Sequence, residues 1–519
     1  MIAELAPLDV LRRFRDHDGT IADFLDSRLA RDPGREALVF EGRAWSWREL
    51  VEAAARLAGA FRNHGVTFGD RVAIVSPNSV WHVLTFLAAA RLGAIFVPAN
   101  PQFTEGELAY VLSNCAPRLV LGPPAEVEAL KRAAGATQTS VLAFDDALLD
   151  GAAVAANAAA TSDPCLIIYT SGTTGFPKGA MHSHASFIAA GEAFVERMHL
   201  QESDRLLLVL PMFHINAMFY SVAGAFAAGA ALLIEERFSA SQFWNRVVDL
   251  RATQANLIEA AISILLARPE TEFRPEHGLA KIYGVRQAMV ERFRARFGVA
   301  QLVGGYGMTE IPGVISTPYG ETAPPGGMGQ LCRHPDPARP WAECRIVDDA
   351  GHDLPDGGTG ELWVKTPVMM LGYFNDAAQT AETMQDGWFK TGDLVRRDAE
   401  GNFFFVARKK DIIRRRGENI SGAEIDRIVL SHPDVELAAA IGVPSDMGDE
   451  DILVAVKARQ GATLREADIV AHCRAQMAAM KVPRYVVIVD ALPLTPTHKV
   501  AKRLLKDDGR LRAAAKDFG

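Results

Sequence analysis

The chain has 519 residues, of which 49% are hydrophobic and 23% charged, a composition typical of a globular protein with roughly two to four domains. Its formal net charge of −8 offers no basic surface and argues against nucleic acid as a partner. The five cysteines contain no CxxC pair, which argues against a disulfide framework and a structural zinc site and favours reduced thiols in a cytoplasmic protein.

The N-terminal residues, MIAELAPLDVLRRFRDHD, mix acidic and basic side chains and lack the apolar centre of a signal peptide, so we predict no export. From there to residue 407, short apolar runs alternate with helix-like segments. RVAIVS (71–76), RLVLG (118–122) and RLLLVLP (205–211) are predicted strands, and WHVLTFLAAARLG is a predicted helix. This alternation indicates α/β layers with mostly parallel sheets. The stretch 151–163, GAAVAANAAATSD, is typical of a flexible connector.

A segment rich in glycine and hydroxyl side chains, YTSGTTGFPKG, extends from Tyr169 to Gly179. A Walker A loop requires a hydroxyl after its lysine, but Lys178 is followed by Gly179. Glycines let backbone N–H groups approach an anion, and hydroxyls and an ammonium add donors, so we predict a phosphate-binding loop between the strand CLIIY and a helix. The alternative is a mobile surface loop of the same composition.

Residues 215–234 carry no charged side chain over a length that could cross a bilayer. Alanine and glycine dominate this stretch, and no basic residues flank it. We therefore predict a buried helix followed by the strand AALLI, and no transmembrane segment.

The sequence changes in character near Arg408, where ARKKDIIRRRGENISGAEID is densely charged. The segments VELAAAIGV, DILVAVKAR and RYVVIVDALP that follow are predicted strands. We predict a large multi-layer α/β domain at 1–407, a hinge at 408–411, and a small mobile α+β domain at 408–519. The basic cluster is either a solvated face or part of a functional segment.

Four more segments place chemically useful side chains next to glycine or proline: PMFHINAM (211–218), GGYGMTE (304–310), GWFKTGD (387–393) and PTHKVAK (496–502). Together with YTSGTTGFPKG, in this order and at these separations, they resemble the motif series of the adenylate-forming superfamily. The resemblance covers the chain from about residue 20 to 510. It implies an ATP-dependent carboxylate–CoA ligase, which forms acyl-AMP and pyrophosphate from a carboxylic acid and Mg-ATP and then transfers the acyl group to coenzyme A.

The resemblance also implies a nucleotide site. Tyr306 and the backbone near Gly305 would flank adenine, Asp393 and Arg408 would contact the ribose, and Lys178 would border the phosphates. The remaining residues expected around the phosphates are Thr170, Ser171, Gly172, Thr173 and Thr174.

Catalytic roles follow from the same resemblance. Lys499 would join the carboxylate to the α-phosphate oxygens, Thr309 would lie near the α-phosphate, and Glu310 would bind Mg²⁺. Lys410 would lie at the hinge, and Gly417 would face the tunnel for the CoA thiol after the small domain rotates.

The predicted acyl pocket draws on the PMFH motif and on the run NLIEAAISILL (256–266). It contains His214, Asn216, Ala217, Met218 and Glu259. His214 is either a gate between the acyl pocket and the thiol tunnel or a core histidine, and Glu259 either receives a polar acid or occupies an exposed first helical turn. His182 and His184 form an HSH pair that lacks a third metal ligand nearby.

One segment departs from the common pattern: LAKIYGVRQAMV (279–290) stands where many relatives have a GGAP-like turn, and it resembles the carnitine/crotonobetaine–CoA ligase-like branch. No aspartate follows the PMFH motif, and no phosphopantetheine attachment segment follows residue 510, so coenzyme A is favoured as acceptor. A carrier-protein thiol and a non-catalytic homologue are the alternatives. The resemblance also allows a homodimer.

Overall fold

The structure, a computed structural model, describes residues 4–135, 139–170, 177–415, 418–445, 449–494 and 500–519. The α-helices are α1 (Pro7–Leu11), α2 (Ile21–Arg31), α3 (Trp47–Asn63), α4 (Val80–Leu92), α5 (Glu105–Cys115), α6 (Val127–Ala134), α7 (His184–Met198), α8 (Ala223–Ala228), α9 (Phe243–Asp249), α10 (Glu259–Ala267), α11 (Gln287–Phe297), α12 (Ala377–Thr383), α13 (Gly422–Leu430), α14 (Glu466–Gln476), α15 (Lys502–Asp507) and α16 (Gly509–Ala514). A π-helix covers Asn216–Val222.

The strands up to residue 347 are β1 (Glu36–Phe40), β2 (Arg43–Ser46), β3 (Arg71–Val75), β4 (Ile95–Ala99), β5 (Leu119–Gly122), β6 (Ser140–Ala143), β7 (Pro164–Thr170), β8 (Lys178–Ser183), β9 (Arg205–Leu208), β10 (Ala231–Ile234), β11 (Gln254–Asn256), β12 (Lys281–Tyr283), β13 (Gln301–Val303), β14 (Gly305–Met308), β15 (Ile311–Ser316), β16 (Gly327–Leu331) and β17 (Glu343–Val347). The later strands are β18 (Thr359–Lys365), β19 (Gly372–Tyr373), β20 (Met384–Gln385), β21 (Trp388–Arg397), β22 (Phe403–Arg408), β23 (Ile412–Arg415), β24 (Glu418–Ser421), β25 (Val435–Pro444), β26 (Glu450–Ala458), β27 (Tyr485–Ile488) and β28 (Lys516–Asp517).

The chain packs into two compact units. The first comprises Met1–Glu343, Val364–Phe389 and Glu400–Phe403, and the second comprises Cys344–Trp363, Lys390–Ala399 and Phe404–Gly519. Two segments that precede residue 407 thus group with the C-terminal part of the chain. The predicted domain boundary, hinge and mobility stay predictions.

Two largely parallel sheets organise the first unit. Their strand orders are β13-β12-β11-β9-β10-β1-β2 and β19-β8-β7-β4-β3-β5-β6, with antiparallel pairs at β1-β2, β7-β8 and β8-β19. A short antiparallel arrangement, β14-β15-β16, accompanies them. The predicted α/β class is confirmed, with mixed rather than purely parallel sheets.

Successive residues of a strand point to opposite faces of its sheet. In these two sheets the strand residues on both faces are buried, and helices pack against each face. Leu206 of β9 and Ile74 of β3 belong to one hydrophobic cluster with α3, α4, α7 and α8, which therefore lie between the sheets. Leu207 packs with α9, α10 and α11 on one outer face, and Ala73 packs with α5 and α6 on the other. The result is a layered core whose strand ends carry the motif segments.

The second unit contains strands that the sequence analysis predicted. VELAAAIGV and DILVAVKAR coincide, to within a residue at their ends, with β25 and β26, and RYVVIVDALP contains β27; these strands pair in the order β25-β26-β27-β28. Helices α13 and α14 share a hydrophobic cluster with these strands. In the same unit β22, β21, β18 and β17 are neighbours in that order.

Three local predictions have clear outcomes. Residues 215–234 form the π-helix, α8 and β10 as expected, and no described helix has the length and apolarity needed to cross a bilayer. The stretch 151–163 has no helix or strand, but Arg91 and Asn157 fasten it to the body through hydrogen bonds. The helix expected after YTSGTTGFPKG is present as α7, but β8 intervenes between the loop and the helix and pairs antiparallel with β7.

Candidate active site

The two strands that flank the predicted phosphate loop are held in register. Thr170 ends β7 and Lys178 begins β8, and the two residues are paired across the strands. The Thr170 hydroxyl donates to the Lys178 carbonyl at 3.4 Å. The described residues stop at Thr170 and resume at Pro177, so the predicted phosphate ligands Ser171, Gly172, Thr173 and Thr174 lie outside them.

Tyr373 links the predicted phosphate lysine to the predicted metal ligand. Its hydroxyl donates a 2.6 Å hydrogen bond to Glu310 Oε1, and its ring centroid lies 5.6 Å from Lys178 Nζ. Burial and the Glu310 carboxylate both raise the pKa of Tyr373, so the phenol keeps its proton and remains a donor. Lys178 also donates to the side-chain carbonyl of Gln379. Sequence reasoning missed Tyr373, and the one available signal was its place in the glycine-bounded turn MMLGYFND.

The turn at Thr309 and Glu310 connects β14 to β15 and is held from two sides. His182 Nε2 donates to the Thr309 carbonyl at 2.8 Å, and the Met370 N–H donates to the Glu310 carbonyl at 2.8 Å. A carbonyl can only accept, so the proton of the neutral imidazole is on Nε2. Burial lowers the pKa of His182 to about 4.

The HSH pair therefore supports the backbone. His184 Nδ1 accepts the Ile21 N–H at 3.2 Å, while His182 supports the Thr309 turn. No cluster of three metal-ligating side chains occurs in the part of the chain that the structure describes.

The strand predicted to flank adenine, β14, packs on Tyr283, which belongs to the segment 279–290 that departs from the common family pattern. A side chain at Gly305 would collide with the Tyr283 hydroxyl, so only glycine lets β14 pack this closely. Gly284, the next residue after Tyr283, has a φ of +97° and approaches the Leu257 carbonyl too closely for a Cβ. Gly305 and Tyr306 begin β14, and the segment 279–290 supplies its support, while their contact with adenine stays a prediction.

Asn78 holds the segment that carries His214. The sequence analysis did not identify Asn78. Its amide nitrogen donates to the carbonyls of Leu210 and Glu235 at 2.9 and 3.1 Å, and its amide oxygen accepts the Met212 N–H at 2.8 Å. Asn78 is 4% exposed, so these bonds are shielded from water. The available signal was a polar residue three positions after β3, in SPNS.

The PMFH motif leads into the π-helix, a form of helix frequent at functional sites. Burial lowers the pKa of His214 to about 4, so its imidazole is neutral at physiological pH. Asn216 is half-buried, while Ala217 and Met218 are fully buried. Their place in an acyl pocket stays a prediction.

Glu259 differs from the other predicted pocket residues. It begins α10, its side chain is 53% exposed, and both its carboxylate oxygens accept from Arg286 at 2.8 Å. This geometry favours the exposed-first-turn interpretation over a place in the acyl pocket.

In the second unit, Asp393 and Arg408 meet as a pair. Arg408 Nε lies 3.2 Å from Asp393 Oδ1, and Asp393 is buried whereas Arg408 is exposed. Lys410 is exposed in the 3₁₀ turn Lys409–Asp411, between β22 and β23. Gly417 and Lys499 lie outside the described residues.

The chain matches known enzymes over nearly its whole length. Residues 25–374 match the family described as AMP-binding enzyme, and residues 424–499 match the AMP-binding enzyme C-terminal domain. The indoleacetate–CoA ligase of Aromatoleum aromaticum is 32% identical over 516 residues, which cover 96% of this chain and 99% of that protein. A crotonobetaine/carnitine–CoA ligase of Citrobacter koseri is 32% identical over 513 residues, covering 91% and 96%.

Solved structures agree with these sequence matches. ATP-bound MatB from Rhodopseudomonas palustris has a TM-score of 0.85 at 28% identity, covering 94% of this chain and 98% of that chain. The o-succinylbenzoate CoA synthetase of Bacillus subtilis, in complex with its acyl-adenylate intermediate, has a TM-score of 0.82 at 26% identity, covering 93% and 98%. The predicted likeness to adenylate-forming CoA ligases, including those for crotonobetaine and carnitine, is confirmed, and the chain belongs to the family of AMP-binding enzymes.

Proposed function

We propose that this enzyme is an ATP-dependent carboxylate–CoA ligase that works through an acyl-adenylate. The observation that carries the proposal is the contact of Tyr373 with both Glu310 and Lys178, because it places a carboxylate and an ammonium beside one buried phenol. The relatives named as CoA ligases favour coenzyme A over a carrier-protein thiol as acceptor.

In the first half-reaction a carboxylate oxygen attacks the α-phosphorus of ATP, and pyrophosphate leaves. Two anions must approach each other, so positive charge has to offset their repulsion where charge develops. Lys178 supplies it next to the departing phosphates and Lys499 next to the attacking carboxylate. No covalent enzyme intermediate is needed, since acyl-AMP itself carries the activated acyl group.

Glu310 suits the Mg²⁺ that the reaction requires. Its Oε1 accepts from Tyr373, and a carboxylate oxygen is a ligand that Mg²⁺ prefers, usually beside substrate phosphates and water. Bound there, Mg²⁺ would neutralise phosphate charge. His182 keeps the preceding Thr309 carbonyl in place, so the carboxylate and the Thr309 hydroxyl share one fixed turn.

In the second half-reaction the CoA thiol attacks the acyl carbon of acyl-AMP, and AMP leaves. Lys499 belongs to the segment after β27, and we propose that it withdraws once the adenylate has formed. The neutral His214 would then border the path of the thiol, with Gly417 facing the pantetheine. A cytoplasmic location and a homodimer stay predictions.

The test is pyrophosphate release from Mg-ATP with a panel of carboxylic acids, with and without CoA, followed by mass detection of acyl-CoA. Lys499→Ala should stop adenylate formation, by about a hundredfold or more, and largely spare thioester formation from supplied acyl-AMP. Lys131→Ala is the matched control, because this lysine is half-exposed on α6 and pairs with Glu128. Equal loss of both half-reactions in Lys499→Ala would contradict the assigned role.

A further inference from the structure

Gln379, on α12, holds the ammonium group of Lys178. Lys178 Nζ donates a hydrogen bond to Gln379 Oε1, and Gln379 Nε2 donates to Glu382 Oε2 at 3.0 Å. An ammonium can only donate and an ionised carboxylate can only accept, so one orientation of the Gln379 amide satisfies both neighbours. Glu382 thus keeps the amide oxygen directed at Lys178.

The turn that carries Gln379 is itself held by hydrogen bonds. The Gln379 N–H donates to Asp376 Oδ1 at 3.0 Å, at the start of α12. The Thr380 hydroxyl accepts the Tyr373 N–H at 2.9 Å and donates to the Asp376 carbonyl at 2.8 Å, which joins α12 to β19. One hydrogen-bonded turn therefore brings the Tyr373 ring and the Gln379 amide to the same ammonium.

Other lysines of this protein show a different kind of partner. Lys281 is 4% exposed, and its Nζ donates to Asp204 Oδ2 at 2.9 Å. Lys481 donates to both carboxylate oxygens of Glu424 at 2.8 Å. Within the ranges that the structure describes, no carboxylate lies at ion-pair distance from Lys178, so its charge is oriented but not compensated.

The neutral partner leaves Lys178 free to bind an anion. An ammonium has three N–H donors, and Gln379 takes one of them. A carboxylate in the place of the amide would attract the ammonium more strongly and cancel its charge. Lys178 begins β8, directly after the predicted phosphate loop, so the phosphates of ATP are the anion that the proposed reaction brings to it.

We propose that Gln379 is a positioning residue, which orients the Lys178 ammonium toward the phosphates of ATP and, because it is neutral, leaves the charge of that ammonium to them. This inference rests on the proposed function, since it concerns the ATP that enters the same reaction. Gln379 acts through Lys178 and takes no part in the chemistry.

The experiment measures the Kd of Mg-ATP by titration calorimetry, together with kcat and the KM for ATP in pyrophosphate release. Gln379→Met keeps the length and helix propensity of the side chain but removes the acceptor. It should raise the Kd and the KM by roughly two- to tenfold, the range of one hydrogen bond, with little change in kcat.

Gln379→Glu should weaken Mg-ATP binding further, by about ten- to a hundredfold, because its carboxylate pairs with Lys178 and repels the phosphates. Gln385→Glu is the matched control for the added charge, since Gln385 is exposed on β20 beyond α12. This control should bind Mg-ATP like the wild type. A Gln379→Glu variant that also binds like the wild type would overturn the requirement for a neutral partner.

A double-mutant cycle separates positioning from a merely structural role. In the Lys178→Ala background, Gln379→Met should cause no further loss of kcat/KM for ATP, because its effect passes through Lys178. An equal loss in both backgrounds would overturn the inference, and so would a Gln379→Met variant with the Kd and KM of the wild type. If Gln379→Met does not fold, the comparison of Gln379→Glu with Gln385→Glu decides.

Failure of the proposed function would be seen separately. If no acid releases pyrophosphate, that function fails, and the Kd of Mg-ATP still tests Gln379. A higher Kd in Gln379→Met that disappears in the Lys178→Ala background supports the positioning role. Equal Kd values for the wild type and Gln379→Met reject it, and a wild type that does not bind Mg-ATP rejects both proposals.

Discussion

The Tyr373 hydroxyl donates a 2.6 Å hydrogen bond to Glu310, although the two residues are 63 positions apart in the sequence. The contact forms because β19 pairs with β8, Tyr373 lying opposite Ala180. The strand that carries Lys178 thus also positions the support for Glu310. A buried hydrogen bond to a carboxylate both orients the carboxylate and stabilises its charged form.

Tyr373→Phe should therefore weaken adenylation without unfolding the protein. Loss of a hydrogen bond to a charged group costs about 1.5–3 kcal/mol, so we expect a fall in kcat/KM of roughly ten- to a hundredfold and a higher Mg²⁺ requirement. The rate of pyrophosphate release, measured over a range of Mg²⁺ concentrations, tests both expected changes. Tyr319→Phe is the control, because that ring stacks on His199 away from this contact. An unchanged Mg²⁺ dependence in Tyr373→Phe would argue against the positioning role.

Asn78→Ala should destabilise the segment that carries His214. The substitution leaves the Leu210 carbonyl and the Met212 N–H without their buried partner, and each such loss costs about 1–3 kcal/mol. We expect a lower free energy of unfolding in urea, by about 2–5 kcal/mol, and slower thioester formation from supplied acyl-AMP. Asn78→Asp keeps the acceptor oxygen but loses both N–H donors, so its free energy of unfolding should also fall below that of the wild type. A stable Asn78→Ala variant with unchanged kinetics would show that the segment carrying His214 does not depend on Asn78 for its position.

Acid should destabilise the fold through buried neutral histidines. Burial lowers the pKa of His82 from 6.5 to about 3, so the unfolded chain takes up a proton that the folded chain does not. The stability that His82 contributes is complete above pH 6.5 and falls as the pH drops toward the folded pKa. Relative to His82→Leu, the wild type should lose about 2 kcal/mol of unfolding free energy between pH 6.5 and 5. His352→Leu, at an 80% exposed side chain, is the control for the loss of a histidine at the surface. Parallel curves for the wild type and His82→Leu would contradict the prediction.

Glu259→Gln should leave the substrate ranking unchanged. The carboxylate is half-exposed and pairs with Arg286, and exposed ion pairs contribute only about 0–1 kcal/mol. We expect a change in kcat/KM of less than about fivefold for every acid in the panel, since the loss is limited to that pair. A selective loss for one acid would return Glu259 to the acyl pocket.

The segments predicted to form the site could be identified because the chemistry that they suggest is local in sequence. YTSGTTGFPKG, GGYGMTE and the PMFH motif each keep their functional residues within a few positions, and glycine marks where backbone must approach another group. The alternation of apolar runs predicted the α/β layers for the same reason, since a strand or helix reveals its buried face within one segment. The residues that support the site from a distance could not be predicted in this way.

Asn78, Tyr373 and Gln379 show why. Their sequence neighbourhoods contain no motif, and their partners lie more than 60 positions away: Leu210, Glu310 and Lys178 respectively. His182 and Glu259 show the converse. The sequence disfavoured a metal site at the HSH pair and left Glu259 open between a pocket and an exposed helical turn, and packing made His182 a backbone support and left Glu259 beside Arg286 in solvent. The sequence by itself determined which short segments are candidates to bind phosphate, adenine and metal, since residue type and spacing set local donors and backbone freedom. Only the tertiary structure decided which distant side chains are buried against those segments, because burial and hydrogen bonding depend on how whole strands and helices pack.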